Sequence, residues 1–347
     1  MKIVRRIFVD GLSGMTIGWF CTFVIGTILQ QIGNWIGGDA GGMLQTGAAA
    51  LKVFAGAAIG AGMAYKLGES ALTASAAAAA GMIGAYSTQI LDGSILTDGK
   101  IVLDGPGQPL TAFAAAYIGI EIGRIIAGQI RPARFLAPFL TIIIGGGAGI
   151  LISPYIEGLI GEIGKMIQWG TQQEPWLMGI VVAVLMGIVC TLPVNPAAVA
   201  SMLNLSGIAA GAAAIGCSAQ MVGFAAAGLR ENGIGGFLAQ GIGTSMLQLP
   251  NILRRPWIWI PSIVSSGILG AVSTVLLKMP NNSLGAVMGT MGLSGAVSGY
   301  HMMEAGVGSA VLIFIMYAAA PAVLTYFIAE AMRRAGIIKN GDMKLDI

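Results

Sequence analysis

Histidine occurs once in this chain, cysteine three times, and charged side chains make up only 10% of it. Each scarcity excludes something. A single histidine rules out a His-rich metal centre, and neither an H-E-x-x-H run nor a C-x-x-C pair is present. Cys21, Cys190 and Cys217 lie inside apolar stretches and read as small core residues, not as disulfide partners or metal ligands. An ordinary soluble domain carries roughly 25% charged residues, so this chain has too few to cover a water-facing surface. A net charge of +3, spread between hydrophobic runs, points away from nucleic acid. The run from Gly158 to Lys165 lacks both the spacing and the following Ser or Thr of a phosphate loop. No nucleophile, base and metal set stands out, so an enzyme is the least favoured class and no cofactor is called for.

What the chain has is apolar residues, at 56%, and glycine, at 54 residues. That glycine content is about twice average usage, without the strict period of collagen. Helices in lipid gain little from the hydrophobic effect against one another, so close backbone approach through small residues carries the packing. The composition therefore predicts an all-α integral membrane protein.

A spanning helix needs about 20 mostly apolar residues. The clear runs are roughly 8–32, 43–65, 70–91, 109–130, 135–156, 175–194, 257–278 and 307–332. Residues 196–250 are apolar but interrupted, and 283–302 are short and glycine-rich; either stretch would hold short spans or re-entrant segments. About ten membrane segments are expected, in two halves, 1–174 and 175–347. The N-terminal run has no convincing cleavage site and reads as an uncleaved first helix. Lys2, Arg5 and Arg6 at one end, and Arg333, Arg334, Lys339 and Lys344 at the other, place both ends on the cytoplasmic side of a multi-pass protein. So do the loop residues Lys66, Arg124, Arg131, Arg134, Arg254 and Arg255. Short apolar triplets around Thr97-Asp98-Gly99-Lys100 predict a small outward-facing β-hairpin. Residues 157–170 read as an amphipathic helix at the outer interface. An internal repeat is suggested by Ala55–Gly60 against Ser206–Gly211, and by Arg131-Pro132 against Arg255-Pro256. Chance similarity between Ala/Gly-rich helices is the alternative.

Polar side chains are costly in lipid unless they are paired or face a cavity. Here they concentrate in the second half: Asn195, Asn204, Gln220, Gln240, Thr244, Ser245, Gln248, Asn251, Asn281, Asn282, His301 and Glu304. Several flank proline at helix breaks (Pro193, Pro250 and Pro280), where freed backbone groups bind polar solutes. The competing reading is that the amides only glue helices together. His301 and Glu304 stand at i, i+3, suited to a solute or a proton, or to an interfacial pair. Lys52 lies well inside the second helix and needs a partner such as Glu69, Glu121 or Glu304. These residues, without Thr244 and Ser245, are the candidate substrate-binding set.

The second half also carries a family pattern. It comprises Leu192-Pro193-Val194-Asn195-Pro196, the runs Met202 to Ala213, Gly216 to Ala225 and Gly243 to Ile252, then Pro280-Asn281-Asn282-Ser283 and Gly289 to Gly295. This succession resembles the EIIC-like membrane family of the bacterial sugar phosphotransferase system, in the branch that includes perfringolysin-type regulators. The resemblance implies a permease-like component for a sugar-type solute in the bacterial cytoplasmic membrane, or a membrane regulator. It also implies that phosphate, where it is passed on, comes from a separate phosphotransferase protein, because all three cysteines lie in membrane segments. The expected partners are thus a small polar solute, the lipid bilayer, that separate phosphotransferase or regulatory protein, and a second copy in a homodimer.

Overall fold

The computed structural model describes residues 5–127 and 133–346. Lys2, Arg131 and Pro132 lie outside them, and with them part of the orientation and repeat arguments. The chain divides into two compact units, one ending at Leu159 and the other running Ile160–Asp346.

In the first unit, α1 (Arg6–Ile36) is long and apolar enough to cross a membrane. The expected second helix is instead a pair, α2 (Gly38–Val53) and α3 (Ala55–Lys66), bent by 54° at Phe54. α4 (Ala71–Ala85), α5 (Ser87–Leu91) and α6 (Pro109–Ala127) follow. Between α5 and α6, β1 (Leu96–Thr97) pairs antiparallel with β2 (Lys100–Ile101). Its two-residue turn has positive φ at both Asp98 and Gly99, the requirement of a tight I′ hairpin. α7 (Ala133–Thr171) is one 39-residue helix, so residues 157–170 continue it and do not form a separate interfacial helix.

Small residues zip this unit together. A Cβ on Gly18 would sit 2.2 Å from the Ala58 oxygen, and one on Gly60 would sit 2.0 Å from the Ala77 oxygen, so α1 lies on α3 and α3 on α4 at backbone contact. Arg6 bridges the ends of these helices: its Nη2 reaches Glu69 and its Nε reaches Glu121, each at 2.7 Å. Arg124 closes on Glu121 from the next turn at 2.6 Å.

The second unit holds the end of α7, then α8 (Pro175–Thr191), α9 (Pro196–Leu203), α10 (Gly207–Ala227), α11 (Leu229–Leu238), α12 (Leu249–Arg254), α13 (Pro256–Leu277), α14 (Ser283–Met288), α15 (Ser294–Met302) and α16 (Val307–Arg334). α10 is its axis, with 89% of its span buried. α8, α13, α14 and α16 all pack on it. A Cβ on Gly216 would lie 2.0 Å from the Ala183 oxygen of α8, and one on Gly211 would lie 1.8 Å from the Met279 oxygen.

Among the described residues, six helices are long and apolar enough to span, or seven with the bent α2–α3 pair, and α4 and α8 are shorter apolar helices. The rest of the expected ten segments falls on helices too short to cross. At 1.5 Å per residue, α14 and α15 reach only about 9 and 14 Å, against a hydrocarbon core of about 30 Å.

The packing argument gives a direct test. Gly216→Ala and Gly60→Ala should each lower stability by about 1–3 kcal/mol, the usual cost of overpacking. Gly47→Ala, on exposed α2 with nothing within 4 Å of the added methyl, should be neutral or gain up to about 1 kcal/mol of helix propensity. Unfolding curves of the detergent-solubilised variants would separate the two groups.

Candidate functional site

α10 and α13 run antiparallel. Gly211, near the start of α10, abuts Met279 just past the end of α13, while Gln220, further along α10, takes a hydrogen bond from Trp259 near the start of α13. This fixes where the intervening segments enter. Residues 229–254 leave the end of α10 and return at the start of α13. Residues 281–303 follow α13 and lie beside the start of α10, where the Asn281 N–H donates to the Gly207 carbonyl at 3.0 Å. The two segments therefore enter the unit from opposite ends.

Each is a helical hairpin. Hairpin A (229–254) descends through α11 and its π-helical continuation Ala239–Gly243, turns where Thr244 goes extended, and returns through Ser245–Gln248 and α12. Hairpin B (281–303) descends through α14, turns at 289–293 and returns through α15. Its turn needs positive φ at Gly289, Gly292 and Leu293, which explains the glycine-rich run. Gly295 lets the two arms touch, because a Cβ there would lie 2.2 Å from the Gly289 oxygen.

The two turns meet halfway along α10. The π-helical residues 239–243, just before the Thr244 break, lie against the 291–293 turn. Gly289 abuts Cys217 and Ser218. Thr290 Oγ1 points to Met221 Sδ at 3.7 Å. Ser245 Oγ is 3.0 Å from Thr191 Oγ1 at the end of α8. Thr191, Ser218, Thr244, Ser245 and Thr290 are all buried here. Two helix breaks thus bring non-helical backbone and five hydroxyls together in the middle of the unit.

The sequence-predicted residues distribute around this junction in separate networks. Asn281 pins hairpin B: its Nδ2 donates to Gly295 O at 3.0 Å and Tyr317 Oη at 2.9 Å, and its Oδ1 accepts from Asn282 N–H at 2.8 Å. Asn282 caps α14 by accepting from Gly285 N–H, and Asn195 caps α9 by accepting from Ala197 N–H. Asn204 sits left-handed at the end of α9, and its Oδ1 accepts from Ser283 at 3.3 Å. Asn204, Asn282, His301 and Glu304 are exposed around the base of hairpin B. His301 meets Tyr300 edge-on, with ring centroids 5.8 Å apart. Gln220 is wholly buried and ties α10 to α13, accepting from Trp259 Nε1 at 3.0 Å and facing Ser266 Oγ at 3.5 Å. Gln240, Gln248 and Asn251 form a relay in hairpin A: Gln248 Nε2 donates to Gln240 Oε1, and Asn251 Nδ2 to Gln248 Oε1, both at 2.9 Å.

Lys52 lies in the first unit, where its Nζ donates to Gln30 Oε1 at 2.6 Å. Two of its expected partners, Glu69 and Glu121, are held by Arg6 instead. Sequence reasoning missed Thr191, Ser218, Trp259 and Tyr317. Lone hydroxyls and rings inside apolar runs give no signal until the fold sets them against a break.

Asn281 and Asn282 should separate cleanly on substitution. Asn281→Ala leaves the Gly295 carbonyl and the Asn282 N–H without their partner and should cost about 3 kcal/mol. Asn282→Ala removes only a cap and should cost about 1 kcal/mol. Urea or thermal unfolding of both variants would read the difference.

With this geometry in place, comparison with known proteins adds one finding. A family model described as phosphotransferase system, EIIC matches residues 9–345. A search of curated proteins gave no match.

Proposed function

The chain belongs to the phosphotransferase-system EIIC family, the membrane permease component of sugar transport, and from that premise we propose that its solute site is the junction where hairpins A and B meet beside α10. The observation that carries this reading is the pair of breaks entering from opposite ends. Non-helical backbone at membrane depth is tolerated only where protein buries it or it lines a cavity, and unwound segments of this kind bind polar solutes in transporters. Hydroxyls of Thr191, Thr244, Ser245 and Thr290 suit a polyhydroxylated, uncharged solute of sugar type.

The mechanism follows from the entry directions. Withdrawing hairpin A would open the junction to one side, and withdrawing hairpin B would open it to the other. Alternating access then needs only that the two do not withdraw together. The basic residues Arg230, Arg254, Arg255, Arg333 and Arg334 gather at the base of hairpin A, which supports reading that side as cytoplasmic. The base of hairpin B, with Asn204, Asn282, His301 and Glu304, faces the outside and forms the entrance. In this reading the two units act as two membrane halves within a multi-pass protein of the cytoplasmic membrane. Any phosphate for the sugar arrives from a separate protein at the basic face.

The test is ligand-induced stabilisation of the purified protein across a panel of sugars, followed by flux in liposomes. A saturating sugar at 100 times its Kd should raise stability by about 2.7 kcal/mol. Ser245→Ala and Thr290→Val should weaken that sugar about tenfold each, the loss of about 1.4 kcal/mol. Asn204→Ala and Asn282→Ala should change its entry rate more than its affinity. Affinity lost only in the Asn204 and Asn282 variants would move the site to the mouth of hairpin B. Saturable binding without flux would make the protein a ligand sensor.

A further inference from the structure

The two hairpins are held by different means. Hairpin B is pinned from within by Asn281. Hairpin A is held from outside, its first arm tied to α16 by Arg230 with Glu330 and Tyr326 and by Glu231 with Arg333, and both arms by residues that follow α16. There the chain turns back at 335–341 and lays residues 342–345 across both arms of hairpin A.

Its hydrogen bonds to the two arms all run through backbone groups of this short segment. On the first arm, Glu231 Oε2 accepts from Met343 N–H at 3.0 Å, Asn232 Nδ2 donates to Met343 O at 2.9 Å, and Asn232 Oδ1 accepts from Leu345 N–H at 2.8 Å. On the second arm, Gln248 Nε2 donates to the same Met343 oxygen and Asn251 Nδ2 to Lys344 O, each at 2.9 Å. The Met343 carbonyl is therefore shared between the two arms. Arg255, just past the second arm, pairs with Asp342 at 3.5 Å. Arg333 joins Glu231 to the end of α10, donating to Glu231 Oε1 at 3.3 Å and Ala227 O at 2.8 Å. Met343 and Ile338 are buried among Phe224, Ala227, Ile252 and Ile258.

We propose that residues 342–345 are a strap that holds hairpin A closed, and that releasing it opens the solute junction from the basic face. The inference rests on the reading of the hairpins as gates. Its logic is one of reach. The strap bridges residues 231–232 and 248–251, at the open end of the hairpin, and touches nothing at the Thr244 turn. Freed of it, the arms keep the Gln240–Gln248 bond beside the turn, while at the open end the first arm keeps the Arg230 bonds to Glu330 and Tyr326 of α16 and the second arm loses its bonds to the strap. The strap's own hold on the unit is the burial of Met343 and Ile338, so it can let go of the arms without unfolding α16. A protein that binds the basic face and competes for the strap would thereby control the gate.

The test uses the full chain with Cys21, Cys190 and Cys217 replaced by alanine and a single reporter, Ser245→Cys, at the turn of hairpin A. A second reporter, Ala286→Cys, sits in the buried arm of hairpin B. Two variants loosen the strap: Leu345→Pro deletes the N–H that Asn232 accepts, and Asn232→Asp turns its donor toward Met343 O into an acceptor. Each should speed labelling of Ser245→Cys by a water-soluble maleimide about fivefold or more, the effect of one hydrogen bond lost. Labelling of Ala286→Cys should stay unchanged. No rise at Ser245→Cys in either variant, or an equal rise at both reporters, overturns the strap. Flux of the same strap variants in the native-cysteine background is read separately. Selective labelling with no flux of any sugar would leave the strap standing and sink the carrier reading alone.

Discussion

A backbone that leaves the helix inside a membrane must find other partners for its N–H and C=O groups, and this requirement governs the second unit. Lipid offers none. The chain answers with side chains: an amide at the break of hairpin B, and at the break of hairpin A the Thr244 hydroxyl, which accepts from Met246 N–H at 3.2 Å. Asn281 serves hairpin B, donating to a carbonyl in the returning arm and accepting from its own neighbour's N–H. Asn232, Gln248 and Asn251 of hairpin A do the same for the non-helical segment after α16, donating to the Met343 and Lys344 carbonyls. An amide suits the task because it donates and accepts from one planar group without carrying charge. A carboxylate or ammonium in its place would add a desolvation cost of several kcal/mol.

The second constraint is distance. Hairpins of two short arms can reach the middle of the unit only if the helices around them leave room, and that room comes from glycine and alanine. α10 approaches α8 through Gly216 and the Met279 loop through Gly211 at backbone contact. Gly289 brings the turn of hairpin B onto Cys217 and Ser218 of the same helix. The small-residue content that marks the chain as a membrane protein is therefore also what admits two breaks against one axis. Larger side chains along α10 would separate it from its neighbours and strand the turns without a surface to pack on.

The extent to which this could be read in advance follows from range. Helices α1, α6, α13 and α16 are written in local apolarity, and the Asp-Gly turn between β1 and β2 in two adjacent residues, so both are legible; α10, rich in small and polar residues, reads only as part of the interrupted stretch 196–250. The breaks at Pro193 and Pro280 are local too, as is the glycine-rich turn, whereas Pro250 opens α12 in its first turn and the break of hairpin A falls at Thr244 instead. Partner choice is not local. Lys52 finds Gln30 rather than Glu69 or Glu121 because Gln30 and Arg6, which holds both carboxylates, stand near opposite ends of α1, about 36 Å apart. The amides of the second half looked like one cluster in sequence. They are three networks because α10 and α13 are antiparallel, so segments adjoining their two ends are driven to opposite sides. Nothing in the composition of 342–345 marks it as important, since it contributes mainly its backbone.

That last point bears on how such a device operates. A strap that binds through its backbone is insensitive to most of its own side chains, so its strength is set by what receives it: Glu231, Asn232, Gln248 and Asn251. Those receivers sit on both arms of one hairpin, and the shared Met343 carbonyl makes each arm's grip depend on the other's position. If one arm moves away, Asn232 or Gln248 loses its bond to that oxygen and the remaining amide holds the strap alone. Release is then cooperative: the first bond costs most and the rest follow. A gate closed this way is two-state, open or shut, and that is the property alternating access requires of it. Hairpin B, pinned by one internal asparagine to α15 and α16 at once, has no such shared element. The two gates of the proposed mechanism therefore differ in kind, with one held by the fold itself and the other by a segment that a partner at the basic face can reach.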